Sequence, residues 1–161
     1  MTIKVGDKMP DGQFMTMGEG GPQAVSTSDL FSGKKVVLFG LPGAFTPTCS
    51  NQHVPGYVTN ADALKAKGVD TIACMSVNDA FVMGAWGKSQ NVGDKVQMLA
   101  DGSADYTGKL GLGLDLTARG MGPRCTRFSM LIEDGVVKSL NLEESPGEAK
   151  NSGAENMLTQ V

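Results

Sequence analysis

Continuous hydrophobic runs alternate along most of the chain with segments of helical periodicity. The runs at 34–41, 69–77 and 95–101 are rich in β-branched and apolar residues, which is typical of strands buried on both faces of a sheet. Residues 126–144 instead alternate between apolar and polar positions on either side of Glu133-Asp134-Gly135, and this pattern predicts a β-hairpin. The pattern therefore predicts three buried strands followed by an antiparallel pair.

Apolar residues at helical spacing fall between these strands and after them. They predict helices at 49–68, 79–90, 104–112 and 153–161. Pro55 is expected to kink the first helix and Gly68 to end it, while Asn78-Asp79 is a candidate cap for the second. A helix follows each of the first three strands, so we expect βαβ crossovers and a mixed sheet covered by helices on both faces. This order fits a thioredoxin-like α/β fold, and it also fits a flavodoxin-like fold.

Composition and charge exclude several classes of protein. The 161 residues are enough for one domain, 1–161, with a substantial core, and 40% hydrophobic residues is ordinary for a globular protein. The net charge is −3 and the basic residues are scattered, so no nucleic acid is expected as a partner. No apolar run approaches the roughly 18–20 residues that span a bilayer, so no membrane association is expected. The N-terminus lacks the apolar region of a signal peptide, and a cytoplasmic location is expected, with a processed organellar form as the alternative.

The cysteines and the single histidine limit the chemistry further. Cys49, Cys74 and Cys125 are odd in number, widely spaced and without a CxxC pair, which favours a reducing compartment over a disulfide framework. With His53 as the only histidine, the usual zinc-ligand spacings are missing. The glycine-rich stretch GKLGLGLD at 108–115 follows no strand and lacks the lysine of a phosphate-binding loop. No metal or cofactor is expected.

The segment LPGAFTPTCS, residues 41–50, places a cysteine where a strand gives way to a helix. Thr46 or Thr48 can cap the helix, and Pro47 suits its first turn. Cys49 then falls in that first turn, where unpaired N–H groups and the positive end of the helix dipole favour a thiolate. The competing interpretation is that Cys49 is a small buried hydrophobic residue, as most free cysteines are.

The same segment carries a recognisable motif. PGAFTPTC contains Pro42, Thr46 and Cys49 in the pattern P-x-x-x-T-x-x-C, and it resembles the peroxidatic motif of peroxiredoxins. Three longer blocks are similar to the atypical, type-II peroxiredoxins of plants, animals and bacteria: FGLPGAFTPTCSNQHVPGYV, ACMSVNDAFVMGAWGK and TRFSMLIEDGVVKSLNLE. Together these blocks extend the resemblance over nearly the whole chain.

The resemblance implies a thioredoxin fold, a function and a role for each matching residue. The function is a thiol-dependent peroxidase that reduces hydrogen peroxide or alkyl hydroperoxides without metal, haem or flavin. Cys49 would be the thiolate that attacks the terminal peroxide oxygen, and it would become a sulfenic acid. Thr46 would give its hydroxyl to the peroxide, Pro42 would shield the thiolate from water, and the family arginine corresponds to Arg127 in RFSM.

Strand alternation also favours Arg127 as the cation beside the thiolate. Along 126–132, Phe128, Met130 and Ile132 point one way, and Arg127 and Ser129 point the other. A guanidinium beside a thiolate stabilises it and also stabilises the negative charge that develops on the departing oxygen. The alternatives are a solvated surface arginine, and Arg124 in place of Arg127.

The thiol that recycles a sulfenic acid is left open by the sequence. Some animal members of the family use a cysteine near the C-terminus, but Asn151 occupies that place here. Plant-type members carry a cysteine that matches Cys74, which is either a resolving thiol or a core residue, because it lies in a predicted buried strand. Cys125 lies two residues before Arg127, so alternation places both on one face; it is an incidental thiol or a second redox thiol. Otherwise glutathione with glutaredoxin, or thioredoxin, supplies the reductant.

Further expectations concern His53, assembly and competing functions. His53 lies one helical turn after Cys49, and a Cys-His pair suggests a cysteine hydrolase, but the hydrolase signatures are missing. Packing or a hydrogen bond within the helix is therefore expected for His53. The resemblance implies a homodimer around Phe45 and Trp86. A redox sensor that uses only the oxidation of Cys49 is the alternative to a peroxidase.

Overall fold

The computed structural model covers residues 1–161 and contains nine strands and five α-helices. The strands are β1 (Gln13–Gly18), β2 (Gly21–Ser26), β3 (Lys35–Leu41), β4 (Thr71–Ser76), β5 (Gln97–Ala100), β6 (Gly113–Leu116), β7 (Gly122–Cys125), β8 (Phe128–Glu133) and β9 (Val136–Leu142). The helices are α1 (Thr27–Phe31), α2 (Val54–Ala66), α3 (Ala80–Ser89), α4 (Asp105–Leu110) and α5 (Ala154–Leu158). A π-helical turn, Cys49–His53, precedes α2, and a 3₁₀ turn, Thr117–Arg119, follows β6.

Seven strands form one mixed sheet in the order β2-β1-β5-β4-β3-β8-β9. The parallel strands β3, β4 and β5 are connected through α2 and α3, as the predicted βαβ crossovers require. Strands β1 and β8 join the parallel centre in antiparallel orientation. The α/β class and the mixed sheet are therefore confirmed. Strands β6 and β7 form a separate two-stranded ribbon.

Both faces of the sheet are covered, because the central strands are apolar on both sides. In β3, Val37 and Phe39 belong to one core cluster while Val36 and Leu38 belong to the other. Helices α2, α3 and α5 cover the first cluster, and α1 and α4 cover the second. Burial of each such side chain is worth about 1.5–3 kcal/mol, so the two cores together stabilise the layered arrangement.

The sequence pattern missed the β1-β2 edge of the sheet and the two-stranded ribbon. Strand β2, GPQAVS, has no buried residue, and β1 has only Phe14 fully buried. The short strands β6 and β7 contain a single buried residue, Cys125. Strands that bury so little apolar area leave no readable alternation, so these four strands could not be predicted.

The helices begin close to their predicted positions, with one correction. Asp79 caps α3, since its Oδ1 accepts a hydrogen bond from the N–H of Val82 at 2.8 Å. Gly68, with φ of +95°, follows the end of α2 as expected. The predicted helix is continuous from Pro47, but the pattern did not predict that Cys49–His53 form a π-helical turn before α2. None of the helices combines the length and the apolar character that a bilayer-spanning segment needs.

The hairpin of β8 and β9 brings distant residues to the C-terminal end of β3. Its turn contains Asp134 and Gly135 at φ of +47° and +78°, the left-handed pair typical of a tight hairpin turn. Gly40 of β3 pairs with Phe128 of β8, and a Cβ at Gly40 would clash with the Phe128 ring. This close approach places Arg127, the residue before β8, beside the loop that follows β3.

Candidate active site

The loop after β3 leads into the helix that carries Cys49. The carbonyl of Thr46 accepts a hydrogen bond from the N–H of Ser50 at 2.9 Å, and the helical backbone starts at Pro47 as predicted. Cys49 therefore lies within the first turn, where unpaired backbone N–H groups and the positive end of the helix dipole favour a negative charge. The sulfur is fully buried.

The two threonines do not cap this helix as predicted. The Thr46 hydroxyl donates to the carbonyl of Gly43 at 2.7 Å, which closes the loop on itself. The Thr48 hydroxyl donates to the carbonyl of Gly147 at 2.9 Å, in a distant segment. Both hydroxyls are donors in this structure, so their oxygen lone pairs remain free to accept hydrogen bonds.

Arg127 and Cys49 meet at the centre of the site. The Nη2 atom of Arg127 donates a hydrogen bond to the Sγ atom of Cys49 at 3.1 Å, and the arginine is only 2% exposed. Its Nε and Nη2 atoms also donate to the carbonyl of Pro146, at 3.2 and 3.1 Å. A guanidinium is always charged, so a permanent positive charge lies against the Cys49 sulfur in a site from which solvent is excluded.

His53 holds the opposite side of the same guanidinium. Nη1 of Arg127 donates to Nδ1 of His53 at 2.9 Å, and the other ring nitrogen, Nε2, lies 3.1 Å from the carbonyl of Ser152. Since Nδ1 accepts, the ring proton is on Nε2 and is donated to Ser152. Burial and the neighbouring Arg127 lower the pKa of His53 to about 3, so the ring is neutral at physiological pH. Of the two roles expected for His53, packing is confirmed, since the ring is buried against Phe39, and a hydrogen bond within the helix is wrong, because both partners are remote in sequence.

A segment without regular structure, residues 143–152, lies across the site, and we call it the strap. It supplies the Pro146, Gly147 and Ser152 carbonyls that accept the bonds described above. Its two ends are tied together, because Oε2 of Glu143 accepts hydrogen bonds from the backbone N–H and the hydroxyl of Ser152, both at 2.6 Å. Tyr57 of α2 donates to the Ser152 carbonyl at 2.7 Å. No sequence pattern indicated this role for the strap.

Comparison with known proteins identifies the family. The family model described as redoxin matches residues 4–158. Peroxiredoxin-2C of Oryza sativa subsp. japonica is 54% identical over 157 residues, which is 97% of this chain and 96% of that protein. The chloroplastic peroxiredoxin-2E of Arabidopsis thaliana is 52% identical over 161 residues, covering 98% of this chain and 68% of the relative. The crystal structure of reduced Prx3 from Vibrio vulnificus in complex with hydrogen peroxide is 49% identical, with a TM-score of 0.93 and 98% of each chain covered.

The chain is a peroxiredoxin. The predicted thioredoxin-like fold is thereby confirmed, and the flavodoxin-like alternative is excluded. Homology to the peroxiredoxins also makes the chain a thiol-dependent peroxidase, as predicted.

Pro42 and Arg124 lie at the rim of the peroxiredoxin site. Pro42 is buried, and its carbonyl accepts a hydrogen bond from Nη1 of Arg124 at 3.3 Å. Nε of Arg124 donates to the carbonyl of Met121 at 2.9 Å. The structure thus brings Arg127, and not Arg124, to the Cys49 sulfur, and Arg124 supports the loop instead. The same loop is fixed on its other side, where the N–H of Ala44 donates to Oδ1 of Asn78 at 3.0 Å.

The two remaining cysteines of the peroxiredoxin are free and fully buried. Cys74 lies on β4 and shares a core cluster with Cys49. Burial, with a smaller contribution from Cys49, raises the pKa of the Cys74 thiol well above its ordinary value. Cys125 lies at the end of β7 in the opposite cluster, so the expectation that it shares a face with Arg127 is wrong. The reason is that β7 and β8 are separate strands, and the alternation does not continue through residues 126–127. Burial raises the pKa of Cys125 to about 12.

Of the two aromatic residues expected at an interface, only one is exposed. Phe45 is 56% exposed and has a φ of +65°, an uncommon conformation for a residue other than glycine. Trp86 is fully buried, and its Nε1 donates to the hydroxyl of Ser50 at 3.1 Å. The ring centroids of Trp86 and Phe45 lie 6.4 Å apart, so the buried indole borders the exposed Phe45 ring on its protein side. No group of three or more His, Cys, Asp or Glu side chains forms a candidate metal site.

Proposed function

We propose that Cys49 is the peroxidatic residue of this thiol-dependent peroxidase and that hydrogen peroxide and alkyl hydroperoxides are its substrates. The observation that carries the assignment is the 3.1 Å bond from Nη2 of Arg127 to the Cys49 sulfur in a buried site. Neither Cys74 nor Cys125 has a comparable cationic partner, and burial raises the pKa of both. The Vibrio vulnificus relative, solved with hydrogen peroxide, supports this substrate.

In the proposed reaction the Cys49 thiolate attacks the terminal peroxide oxygen. The S–O bond forms as the O–O bond breaks, so the sulfur is oxidised to a sulfenic acid and the peroxide is reduced. The departing oxygen leaves as water or alcohol after it takes up a proton, which balances the charge. Arg127 stabilises the negative charge first on sulfur and then on the departing oxygen.

Thr46 and Pro42 complete the proposed site with different roles. The Thr46 hydroxyl already donates to the Gly43 carbonyl, so its oxygen is positioned to accept the hydrogen of a peroxide. Buried Pro42 has no N–H to bind water and shields the thiolate.

Peroxide consumption with dithiothreitol as the reductant tests this proposal. The wild-type chain is expected to consume many equivalents of hydrogen peroxide, and Cys49→Ser is expected to consume none. Cys74→Ser and Cys125→Ser serve as matched controls. Consumption that stops after one equivalent in excess thiol would support a redox sensor instead, and an active Cys49→Ser would refute the assignment.

We further propose that an external thiol recycles the sulfenic acid: glutathione with glutaredoxin, or thioredoxin. Cys74 lies on a central strand with a raised pKa, so it is a poor nucleophile without local unfolding. The strap has no cysteine that could form a disulfide with Cys49, because Asn151 occupies the place where some animal peroxiredoxins carry one. Mass spectrometry after one equivalent of peroxide tests the route, since a sulfenic acid or a mixed disulfide with glutathione supports it and a Cys49–Cys74 disulfide refutes it.

The remaining proposals concern assembly and location. We propose that residues 1–161 act as one domain that forms a homodimer through a surface around Phe45. The exposed ring of Phe45, with exposed Phe81 at the start of α3, supports this surface. Three free cysteines support a reducing compartment such as the cytoplasm.

A further inference from the structure

Arg127 donates hydrogen bonds to three groups: a backbone carbonyl, a neutral imidazole and a sulfur. Only the sulfur can become negatively charged. The arginine Nε, Nη1 and Nη2 atoms donate to the Pro146 carbonyl, to His53 Nδ1 and to the Cys49 sulfur. The ion pairs of the chain are Lys4–Asp7, Lys35–Glu133 and Lys109–Asp105, and none involves Arg127. The sulfur is therefore the one group among these partners that can carry a negative charge.

We propose that His53 is a positioning residue that holds Arg127 through a neutral acceptor and thereby leaves the guanidinium charge to the Cys49 thiolate. This inference rests on the proposed role of Cys49 and deepens it. A carboxylate in place of the imidazole would fix the arginine equally well, but it would compete with the thiolate for the same positive charge. An apolar residue would leave Nη1 buried without an acceptor.

The surroundings of His53 hold the ring in the required orientation and charge state. Its Nε2 proton is committed to the Ser152 carbonyl, so Nδ1 must present its lone pair to Arg127. Phe39 packs on the ring with the centroids 4.8 Å apart. Ser152 is itself fixed by Tyr57 and by Glu143.

The other titratable groups near His53 and Arg127 do not offer the guanidinium a negatively charged hydrogen-bond partner. Burial raises the pKa of both Tyr57 and Cys74, which keeps them neutral. Oε2 of Glu143 accepts from the N–H and hydroxyl of Ser152, and the buried Oε1 has no hydrogen-bond partner, so neither carboxylate oxygen bonds to the arginine. Cys49 is left as the anionic partner of Arg127.

The single histidine of the chain allows a direct test on the wild-type protein. In protein labelled with ¹⁵N-histidine, the nitrogen spectrum shows one imidazole and reports the protonation of each ring nitrogen. We expect a neutral ring with the proton on Nε2 throughout pH 5–8. Titration within that range, or a proton on Nδ1, would overturn the proposal, and neither result depends on peroxidase activity.

A matched pair of variants, His53→Gln and His53→Glu, tests the role of the charge. The two side chains have nearly the same shape, but one offers Arg127 a neutral oxygen and the other offers an anionic oxygen. Carried in a Cys74→Ser, Cys125→Ser background, each variant is titrated for the Cys49 thiolate by ultraviolet absorbance and assayed for peroxide kcat/KM. We expect His53→Glu to need a pH about one unit higher than His53→Gln for half formation of the thiolate. We also expect a kcat/KM at pH 7 roughly tenfold lower for His53→Glu.

His53→Leu separates positioning from packing. It fills the space without an acceptor, so we expect kcat/KM for peroxide to fall by roughly tenfold or more, with recovery in His53→Gln. Circular dichroism and thermal melting establish that each variant is folded before it is compared. If Gln, Glu and Leu give the same thiolate titration, His53 only packs, and the proposal is wrong. A wild-type chain that forms the thiolate but turns over no peroxide would refute the peroxidatic role of Cys49 without affecting this result.

Discussion

Arg127 and Cys49 are 78 positions apart in the sequence, and the guanidinium Nη2 of one lies 3.1 Å from the sulfur of the other. The contact depends on the antiparallel pairing of β3 with β8, which brings the residue before β8 to the loop after β3. It is supported on one side by the Pro146 carbonyl and on the other by His53. Arg127 therefore bonds at once to the Cys49 sulfur, to the strap and to His53 in the helix that carries Cys49.

Replacement of Arg127 is expected to remove most of the peroxidase activity. Arg127→Ala removes the buried cation, so we predict a loss of roughly 100-fold in kcat/KM for peroxide and a smaller thiolate fraction at pH 7. Arg124→Ala is the control, because Arg124 supports the Pro42 carbonyl and does not contact sulfur. Stopped-flow peroxide reduction and the rate of iodoacetamide alkylation measure both effects. Equal losses in the two variants would contradict the assignment.

Replacement of Cys74 is expected to leave recycling intact. Cys74→Ser removes a buried thiol with a raised pKa, and we predict turnover with glutaredoxin and glutathione within about threefold of wild type. Peptide mapping of the oxidised wild-type chain should show no Cys49–Cys74 disulfide. A large loss of turnover, together with that disulfide in the wild type, would make Cys74 the resolving residue.

The buried His53 is expected to make stability depend on pH. Its pKa is about 3 when folded and about 6.5 when unfolded, so the unfolded chain binds more protons between these values. The contribution of the neutral ring is therefore complete above pH 6.5 and is lost as the pH falls toward 3. Between pH 6.5 and 4.5 we expect wild type to lose about 2–3 kcal/mol more unfolding free energy than His53→Gln. Urea unfolding at the two pH values measures the difference, and parallel losses would contradict the prediction.

The link between Glu143 and Ser152 is expected to hold the strap closed. Glu143→Ala removes two hydrogen bonds to a buried carboxylate, and we predict a loss of about 2–3 kcal/mol of stability or faster amide exchange within 143–152. Glu148→Ala is the control, because Glu148 lies exposed in the same strap. Hydrogen exchange read by mass spectrometry measures the effect. Unchanged exchange and unchanged stability would show that the carboxylate does not secure the strap.

The exposed Phe45 is expected to be essential for dimerisation. Phe45→Asp places a charge on the proposed surface, and we predict at least a tenfold weaker dimer, or a monomer, because buried aromatic residues contribute strongly to interfaces. Val5→Asp is the control, since Val5 is equally exposed but lies near the N-terminus and not in the loop after β3 that carries Phe45. Light scattering after size-exclusion chromatography measures the mass. A dimer of unchanged affinity would exclude Phe45 from the interface.

The parts of the fold and site that could be predicted are those with a local signal in the sequence. Strand β3 is apolar from Val36 to Leu41, and the motif around Cys49 is contiguous, so both could be found. Strand β2 is polar and lies at the sheet edge, which leaves no such signal. The strap acts through backbone carbonyls, such as those of Pro146 and Ser152, and a carbonyl is the same in every residue. The partners of His53 could not be inferred because they are distant residues brought close by the fold.

The π-helical turn has a consequence for how this segment tolerates change. The N–H of Val54 bonds to the carbonyl of Cys49 five residues earlier, and Pro55, which has no N–H, follows directly. The wider turn accommodates one extra residue, so Cys49 contacts Arg127 while Tyr57 and the rest of α2 keep their places in the core. An ordinary helix of unchanged length would turn α2 by about 100° relative to Cys49, whereas removal of a single residue would restore an ordinary helix with its two flanks in phase. The wide turn therefore sets the angle at which His53 and Cys49 face the arginine.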